Sequence, residues 1–427
     1  MSVFMIALMV IMFALSIPIA ISILASALGG VVLFTSLNPL VIAQRLVTTL
    51  DSFPLLAIPF FILAGNLMEA SGISHRLVEF AKSLVGGIQG GLAASCVITC
   101  MIFASVSGSS IATTFAIGAI IIPAMIKHGY PVRFAAALQT SSAELGVIIP
   151  PSIPMIIYGV SAEVSIGELF IAGIGPGILI SVTLICFVLI YCRKNGWGLQ
   201  DGTTRMPLLP AIYQAAWGLG MPVIILGGIY RGVFTPTEAA AVAVIYALLV
   251  GMVVYRTLTV RSLIPVLRKS VISSAVIMFI IAAAGTFSFL ITRAGVPAAI
   301  GNWLVEMFHG PVAFLLAVNI VLFFVGMFIE TSAAIIVLAP ILAPVAVQFN
   351  IDPIHFGLIM IVNLAMGMIT PPFGVNLFAA CEVAKISLDQ IIGRLIPFVL
   401  VIAGCLMIIT FVPEISLFFR DFSSARH

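Results

Sequence analysis

Eleven apolar stretches, separated by short polar breaks, constrain this chain more than any other feature. They run roughly over 3–36, 53–68, 91–126, 134–160, 169–192, 211–229, 239–255, 270–292, 311–348, 355–381 and 395–413. A helix needs about 20 apolar residues to span a bilayer, so the chain has room for ten or more crossings. Composition agrees: 62% of the 427 residues are hydrophobic and 8% are charged, against roughly 25% charged in soluble domains. So few charges cannot cover a water-exposed surface, and lipid must be the main solvent. The expectation is an all-α polytopic membrane protein of one domain, residues 1–427, because no linker is long enough to divide it. The first apolar run starts at Val3 without a charged region before it and outlasts a signal-peptide core, so it reads as a retained membrane helix.

The net charge of +3 carries no nucleic-acid signature. Cys96, Cys100, Cys186, Cys192, Cys381 and Cys405 lie in or at the ends of apolar runs, where a thiol behaves as a small hydrophobe. The histidines, at 75, 128, 309, 355 and 427, lack metal-ligand spacing.

Basic residues orient the spans, because they favour cytoplasmic loops. Arg193, Lys194 and Arg205 mark one such loop. Arg256, Arg261, Arg268 and Lys269 mark another, two apolar segments later. Working backwards places Lys127, Arg133, Arg76 and Lys82 on the same side. Segment 91–126 must then leave from and return to the cytoplasm, as two crossings or as a re-entrant hairpin. Its polar turn, Ser105-Val-Ser-Gly-Ser-Ser110, favours the hairpin, since irregular backbone at membrane depth survives where protein encloses it. Arg231, Arg293, Arg420 and Arg426 fall on the outer side against the rule.

The chain also repeats itself. Shifted by 221 residues, Pro123 falls on Pro344, Gly146 on Gly367, Pro150 and Pro151 on Pro371 and Pro372, and Pro176 on Pro397. Five matches at one ungapped offset indicate two related halves: 50–193, with hairpin 91–127 and broken helix 134–160, and 270–418, with hairpin 311–348 and broken helix 355–381. Residues 194–269 connect them. The charges give the halves opposite orientations. Inverted repeats with interrupted helices are a transporter signature.

The interruptions carry the chemistry. Gly146-Val-Ile-Ile-Pro-Pro-Ser-Ile-Pro154 and Gly367-Met-Ile-Thr-Pro-Pro-Phe-Gly374 each place two consecutive prolines inside an apolar run. Proline removes a backbone donor and clashes with the preceding turn. The carbonyls of Gly146, Ile149, Gly367 and Thr370 are thereby candidate ligands for a hard cation such as sodium. Ser107 and Ser109 complete the first candidate site, and Gly326 and Thr331 contribute to the second. Intramembrane charges are usually functional. Glu330, at the second hairpin turn, is assigned to the cation site. Glu144, two residues before Gly146, reads as functional or as a structural hydrogen-bonding group. Arg293 reads either as attracting a substrate carboxylate or as an interfacial residue. Ser110, Ser152, Asn363 and Asn376 are further candidate substrate contacts.

Two features read as structural. Thr235-Pro-Thr-Glu238 has helix-start chemistry before Ala239–Tyr255. Ile73–Leu84 reads as an interfacial amphipathic helix, with Asn302–Phe308 as its counterpart in the second half.

These motifs carry a resemblance. Leu56-Ala-Ile-Pro-Phe-Phe-Ile-Leu-Ala-Gly65, Ser105–Ser110, Ile149-Pro-Pro-Ser-Ile-Pro154, Gly173-Ile-Gly-Pro-Gly177, Phe234-Thr-Pro-Thr-Glu-Ala239, Asp352-Pro-Ile-His-Phe-Gly357 and Ile369-Thr-Pro-Pro-Phe-Gly374 together resemble the large, DctM-like M subunit of tripartite ATP-independent periplasmic (TRAP) transporters. The resemblance implies a scaffold and an elevator-type transport domain in the bacterial inner membrane. It implies a sodium gradient as driving force and an organic acid as cargo, such as a C4-dicarboxylate, keto acid or sugar acid. The implied partners are a small DctQ-like membrane subunit and a DctP-like periplasmic binding protein. Family sodium sites map onto Ser107, Ser109, Gly146, Ile149, Pro151, Gly326, Gly367 and Thr370, with Glu330 at the second tip.

The competing expectation is a stand-alone sodium–carboxylate symporter with no binding protein. An intramembrane enzyme is not expected. The sequence has no His-Glu-x-x-His, and Asp51, Asp201, Asp352, Asp389 and Asp421 lie at segment ends or in loops. No histidine adjoins the Ser105–Ser110 turn.

Overall fold

A computed structural model describes residues 1–199, 206–308 and 310–424. Asp201, Arg205, His309, Arg426 and His427 lie outside the described residues. Every regular element among the described residues is helical. Nine of these helices are long and apolar enough to cross a bilayer, or ten spans if a bent pair counts as one. The polytopic all-helical fold follows directly from the apolar runs.

Two helix pairs with short turns occupy the expected hairpins: Gly91–Ser107 with Ser110–Lys127, and Pro311–Phe328 with Thr331–Gln348. Their second helices start and end 221 residues apart. The first broken helix consists of Val132–Ile148 and Ile153–Ser161, bent by 43°. Its second-half counterpart consists of Pro353–Met368 and Val375–Ala384. Both Pro–Pro peptide bonds are cis.

The packing crosses between halves. Ser110–Lys127 packs on its own broken helix and on Val375–Ala384 of the other half, while Thr331–Gln348 packs on Pro353–Met368 and on Ile153–Ser161. Tyr158 Oη donates to the Pro353 carbonyl at 2.6 Å, and its ring lies against Gly357, where a Cβ would meet it. Pro353–Met368 is buried almost throughout and forms the centre of this assembly.

A second group of helices surrounds that centre. Pro236–Leu249 packs on Ala57–Ala70, and Val260–Arg293 packs on Ile19–Phe34, Leu40–Leu50 and Ala57–Ala70. Lipid tails are as apolar as leucine, so helix association here depends on close van der Waals packing of small residues. Ala239, Ala243 and Ala247 are buried at helical spacing along Pro236–Leu249. A capping box starts that helix: Glu238 N donates to Thr235 Oγ1 at 3.3 Å, and Thr235 N donates to Glu238 Oε2 at 2.8 Å. The expected amphipathic helix spans Ile73–Val85 and packs on the first hairpin.

Two boundaries differ from the sequence reading. The stretch to Lys269 is not all loop: a helix begins at Val260, capped by Thr259, so Arg261, Arg268 and Lys269 are helical. The segment boundary at 270 therefore falls inside a helix. The polar tail after Pro413 also forms a helix, Glu414–Ser424, lying on Ile166–Asn195. The apolar count missed both helices because they carry charge: Arg261, Arg268 and Lys269 are exposed, whereas Arg420 is turned inward onto Asp352.

Candidate functional site

Each hairpin turn is pressed against the break of its neighbouring broken helix. Gly108 turns the first hairpin with φ +62, and its carbonyl accepts from Ile153 N at 3.3 Å. A Cβ on Gly146 would lie 2.7 Å from the Ser109 carbonyl oxygen and 2.8 Å from Thr113 Oγ1. In the second half, a Cβ on Gly367 would lie 2.5 Å from Gly326 Cα. Both halves thus use a glycine before the break to admit the hairpin's backbone.

In an unbroken helix the carbonyls of residues 146 and 147 would accept from the amides of residues 150 and 151. Those residues are prolines and have no N–H. The Val147 carbonyl is recovered by Ser152 Oγ at 2.6 Å. In the second half the same logic frees the carbonyls of Gly367 and Met368. Thr370 N donates to the Gly367 carbonyl at 2.9 Å, which occupies one of that oxygen's two lone pairs.

The first tip gathers oxygens. Ser107 Oγ lies 3.1 Å from Thr113 Oγ1 and donates to the Ser109 carbonyl at 3.3 Å. Thr113 Oγ1 donates to that same carbonyl at 2.8 Å. Ser109 Oγ caps the following helix by accepting from Ala112 N at 3.4 Å. At the second tip, Glu330 caps Thr331–Gln348, accepting from Ala333 N at 3.1 Å and from Ser332 Oγ at 2.8 Å. Thr331 Oγ1 donates to Met368 Sδ at 2.9 Å, linking tip to break. Thr370 Oγ1 turns back to the Met366 carbonyl. The structure therefore places Ser107, Ser109, Gly146, Ile149 and Pro151 at one tip and break. Gly326, Glu330, Thr331, Gly367 and Thr370 lie at the other.

The candidate substrate contacts are brought together only in part: Thr114 Oγ1 bridges the Ser110 carbonyl at 3.0 Å and Asn376 Oδ1 at 3.4 Å. Ser110 and Ser152 are buried at the first tip and break. Asn363 Nδ2 donates to Asn319 Oδ1 at 2.7 Å inside the core. Asn376 bonds across the halves to Glu144. Arg293 is exposed in the last turn of its helix, away from both tips in sequence. The sequence reading did not single out Thr113, although it stands one helical turn after Ser109. An apolar cavity of about 700 Å³ lies beside the second tip, between Phe13 and Ile17 near the start of the chain and Phe328, Ile329 and Phe373.

With this geometry in view, comparison with known proteins is decisive. The family described as "Tripartite ATP-independent periplasmic transporter, DctM component" matches residues 6–415. The chain belongs to this family. The large permease protein DctM of a C4-dicarboxylate TRAP transporter from Pseudomonas aeruginosa is 43% identical over 376 residues, covering 88% of each chain. The isethionate TRAP transporter permease protein DctMQ from Oleidesulfovibrio alaskensis is 42% identical over 404 residues. That match covers 94% of this chain and 64% of that relative's length. SiaM, the large permease of a Vibrio cholerae sialic acid TRAP transporter, is 36% identical over 400 residues, covering 94% of each. Among solved structures, the Alcanivorax borkumensis YdaH transporter shares the fold, with a TM-score of 0.65 at 14% identity, covering 87% of both chains. A DctM component is a transporter subunit and not an enzyme.

Proposed function

We propose that this DctM chain is the large membrane subunit of a sodium-gradient-driven importer of an organic acid in the bacterial inner membrane. A small DctQ-like subunit would accompany it, and a DctP-like periplasmic protein would deliver the cargo. The observation that carries the sodium reading is the paired tip and break, each with a polar hairpin turn against a proline-interrupted helix. Helix interruptions leave carbonyls that suit a hard cation, and transporters bind coupling ions at such discontinuities. At the first tip, Ser107 and Ser109 add hydroxyl oxygens. At the second, Glu330 supplies a negative charge. The relatives' cargoes, a C4-dicarboxylate, isethionate and sialic acid by name, share an acidic group on a small polar molecule, which supports an organic anion here. The name DctMQ supports a Q-type companion.

In this scheme, an unoccupied Glu330 and its neighbouring carbonyls repel an anion. Sodium cancels that repulsion and organises the tips, so cargo binding follows ion binding. The division into a scaffold and an elevator-type moving domain belongs to the same proposal. The test is the melting temperature of the purified chain in sodium, potassium and choline chloride at equal ionic strength. A ligand that binds only the folded state at a hundredfold excess over Kd adds about 2.7 kcal/mol. A rise specific to sodium, lost when Ser107 and Glu330 are both replaced by alanine, is the expected result. Equal melting in all three salts would count against sodium sites in the isolated chain.

A further inference from the structure

The two breaks match in sequence but not in support. Ile166–Asn195, the helix after the first broken helix, turns Gly173 and Gly177 towards the first break. A Cβ on Gly173 would lie 2.5 Å from Met155 Cε and 3.2 Å from the Ile148 carbonyl oxygen. One on Gly177 would lie 2.7 Å from Ile149 Cγ1. Glycines at this spacing let neighbouring helices approach closely. The 221-residue offset carries them onto Arg394 and Phe398 of Leu388–Phe411. Both counterparts are engaged elsewhere. Arg394 Nη1 donates to Tyr191 Oη at 2.9 Å, and the Phe398 ring packs on Phe134 and Phe187, with centroids 5.9 and 5.2 Å away. Thr370, the counterpart of Ile149, instead borders a gap of about 100 Å³, which it shares with Pro371, Leu395, Ile396 and Val399.

The join between tip and break differs in the same sense. In the first half, Ile153 N donates to the Gly108 carbonyl, whereas the equivalent pair, Gly374 N and the Ile329 carbonyl, is not hydrogen-bonded. Ser107 and Ser152 are buried, and Ser152 Oγ is tied to the Val147 carbonyl. The residues at their places in the second half are Phe328 and Phe373, 57% and 58% exposed, with ring centroids 5.7 Å apart. Beyond the Gly326–Gly367 contact, Thr331 Oγ1 links tip to break through the Met368 sulfur, a weak acceptor. The 700 Å³ cavity opens on this same tip. Segments with few packed neighbours and unbonded amides open readily.

We propose that Gly173 and Gly177 are positioning residues that preform the first cation site, and that the second site closes only as its ion binds. The inference rests on the sodium reading of the two tips. Gly177 seats the Ile149 side chain, and Gly173 admits the Ile148 carbonyl and Met155, so the first break keeps its shape before an ion arrives. Preorganisation of this kind lowers the cost of binding, and the first site fills first. At the second, the ion itself draws Glu330 and the Met368 carbonyl together and brings the tip onto the break.

The test is hydrogen–deuterium exchange of the full purified chain in detergent, in sodium chloride or potassium chloride at equal ionic strength. In potassium, peptides covering Ile329–Ser332 and Thr370–Val375 should exchange within seconds, while those covering Gly108–Ala112 and Ile149–Ile153 stay protected. Sodium at a hundredfold excess over Kd should slow the second pair by up to about a hundredfold, and the first pair should stay protected in both salts. Gly177→Val should make Ile149–Ile153 exchange fast in potassium and slow in sodium, as the second break does. Should that variant fail to fold, Val399→Phe, which fills the gap at Thr370, keeps the test decisive. It should slow Thr370–Val375 in potassium and shrink the effect of sodium there. Fast exchange at both breaks in potassium, with equal slowing in sodium, would overturn the inference and leave the sodium reading standing. No response to sodium at either break would overturn both. Unchanged exchange of Thr370–Val375 in Val399→Phe would overturn the role given to the missing support.

Discussion

Replacing Gly367 by alanine adds one methyl group at the closest approach between the second hairpin and its broken helix. The new Cβ would lie 2.5 Å from Gly326 Cα and carbonyl carbon and 2.9 Å from Met327 N. Non-bonded carbons settle at about 3.5–4.0 Å, so the tip must retreat by about 1 Å. Every atom in the way is backbone, and no side-chain rotation relieves the contact. Overpacking of this kind costs about 1–3 kcal/mol. The consequence for ion binding should be larger than that for folding, because a shift of about 1 Å spoils the geometry of a preorganised site. The assay is the sodium-specific rise in melting temperature, read beside the baseline in potassium. Gly367→Ala should lower the baseline modestly and remove most of the sodium rise. Gly146→Ala should do the same at the first tip, where the new Cβ would meet the Ser109 carbonyl. Gly227→Ala is the control, since nothing lies within 4 Å of its Cβ. A Gly367→Ala variant that keeps the full sodium rise would refute the claim that tip and break form one cation site.

Three further outcomes are expected. Replacing Pro150 and Pro151 together by alanine should restore the missing amides, abolish uptake and leave membrane insertion intact; normal uptake would sink the broken-helix reading. Thr235→Ala should lower stability by about 1 kcal/mol through loss of the helix cap, measured as a fall in melting temperature in every salt. At the end of Pro353–Met368, burial pushes the Asp352 carboxyl up, but hydrogen bonds from Arg420 and from the amides of His355 and Ile354, with the Arg420 charge, outweigh it and hold it below the usual carboxylate range. Such a group stabilises the fold above its unfolded pKa of about 3.9, and the contribution disappears as pH falls through the lower folded value. Arg420→Ala should therefore lower the melting temperature at neutral pH, by an amount equivalent to about 1 kcal/mol, and the gap from wild type should close in acid.

The fold was legible where chemistry repeats. Two adjacent prolines delete two amides wherever they stand in a helix, so Pro150-Pro151 and Pro371-Pro372 announce their breaks locally. The 221-residue offset then assigns Gly146 and Gly367 the same task, which the close approaches at both confirm. Contacts between the halves were not legible. The Glu144–Asn376 bond joins residues 232 apart, and no periodicity marks such a pair. Apolar counting also failed at helix ends that carry charge, as at Val260–Lys269 and Glu414–Ser424. For Arg293 the sequence left both a carboxylate contact and an interfacial position open, and its exposure at a helix terminus is compatible with either. Likewise, Thr370 N reaching back to the Gly367 carbonyl is a local turn that proline spacing alone does not reveal.

Uptake tests the central claim most directly. The chain would be reconstituted with its small membrane subunit in proteoliposomes and supplied with a purified binding protein loaded with a C4-dicarboxylate, isethionate or sialic acid. An inward sodium gradient should drive accumulation of one of these anions, with the binding protein required and no ATP present. Accumulation of that anion at the same rate in potassium, or without the binding protein, would contradict the account.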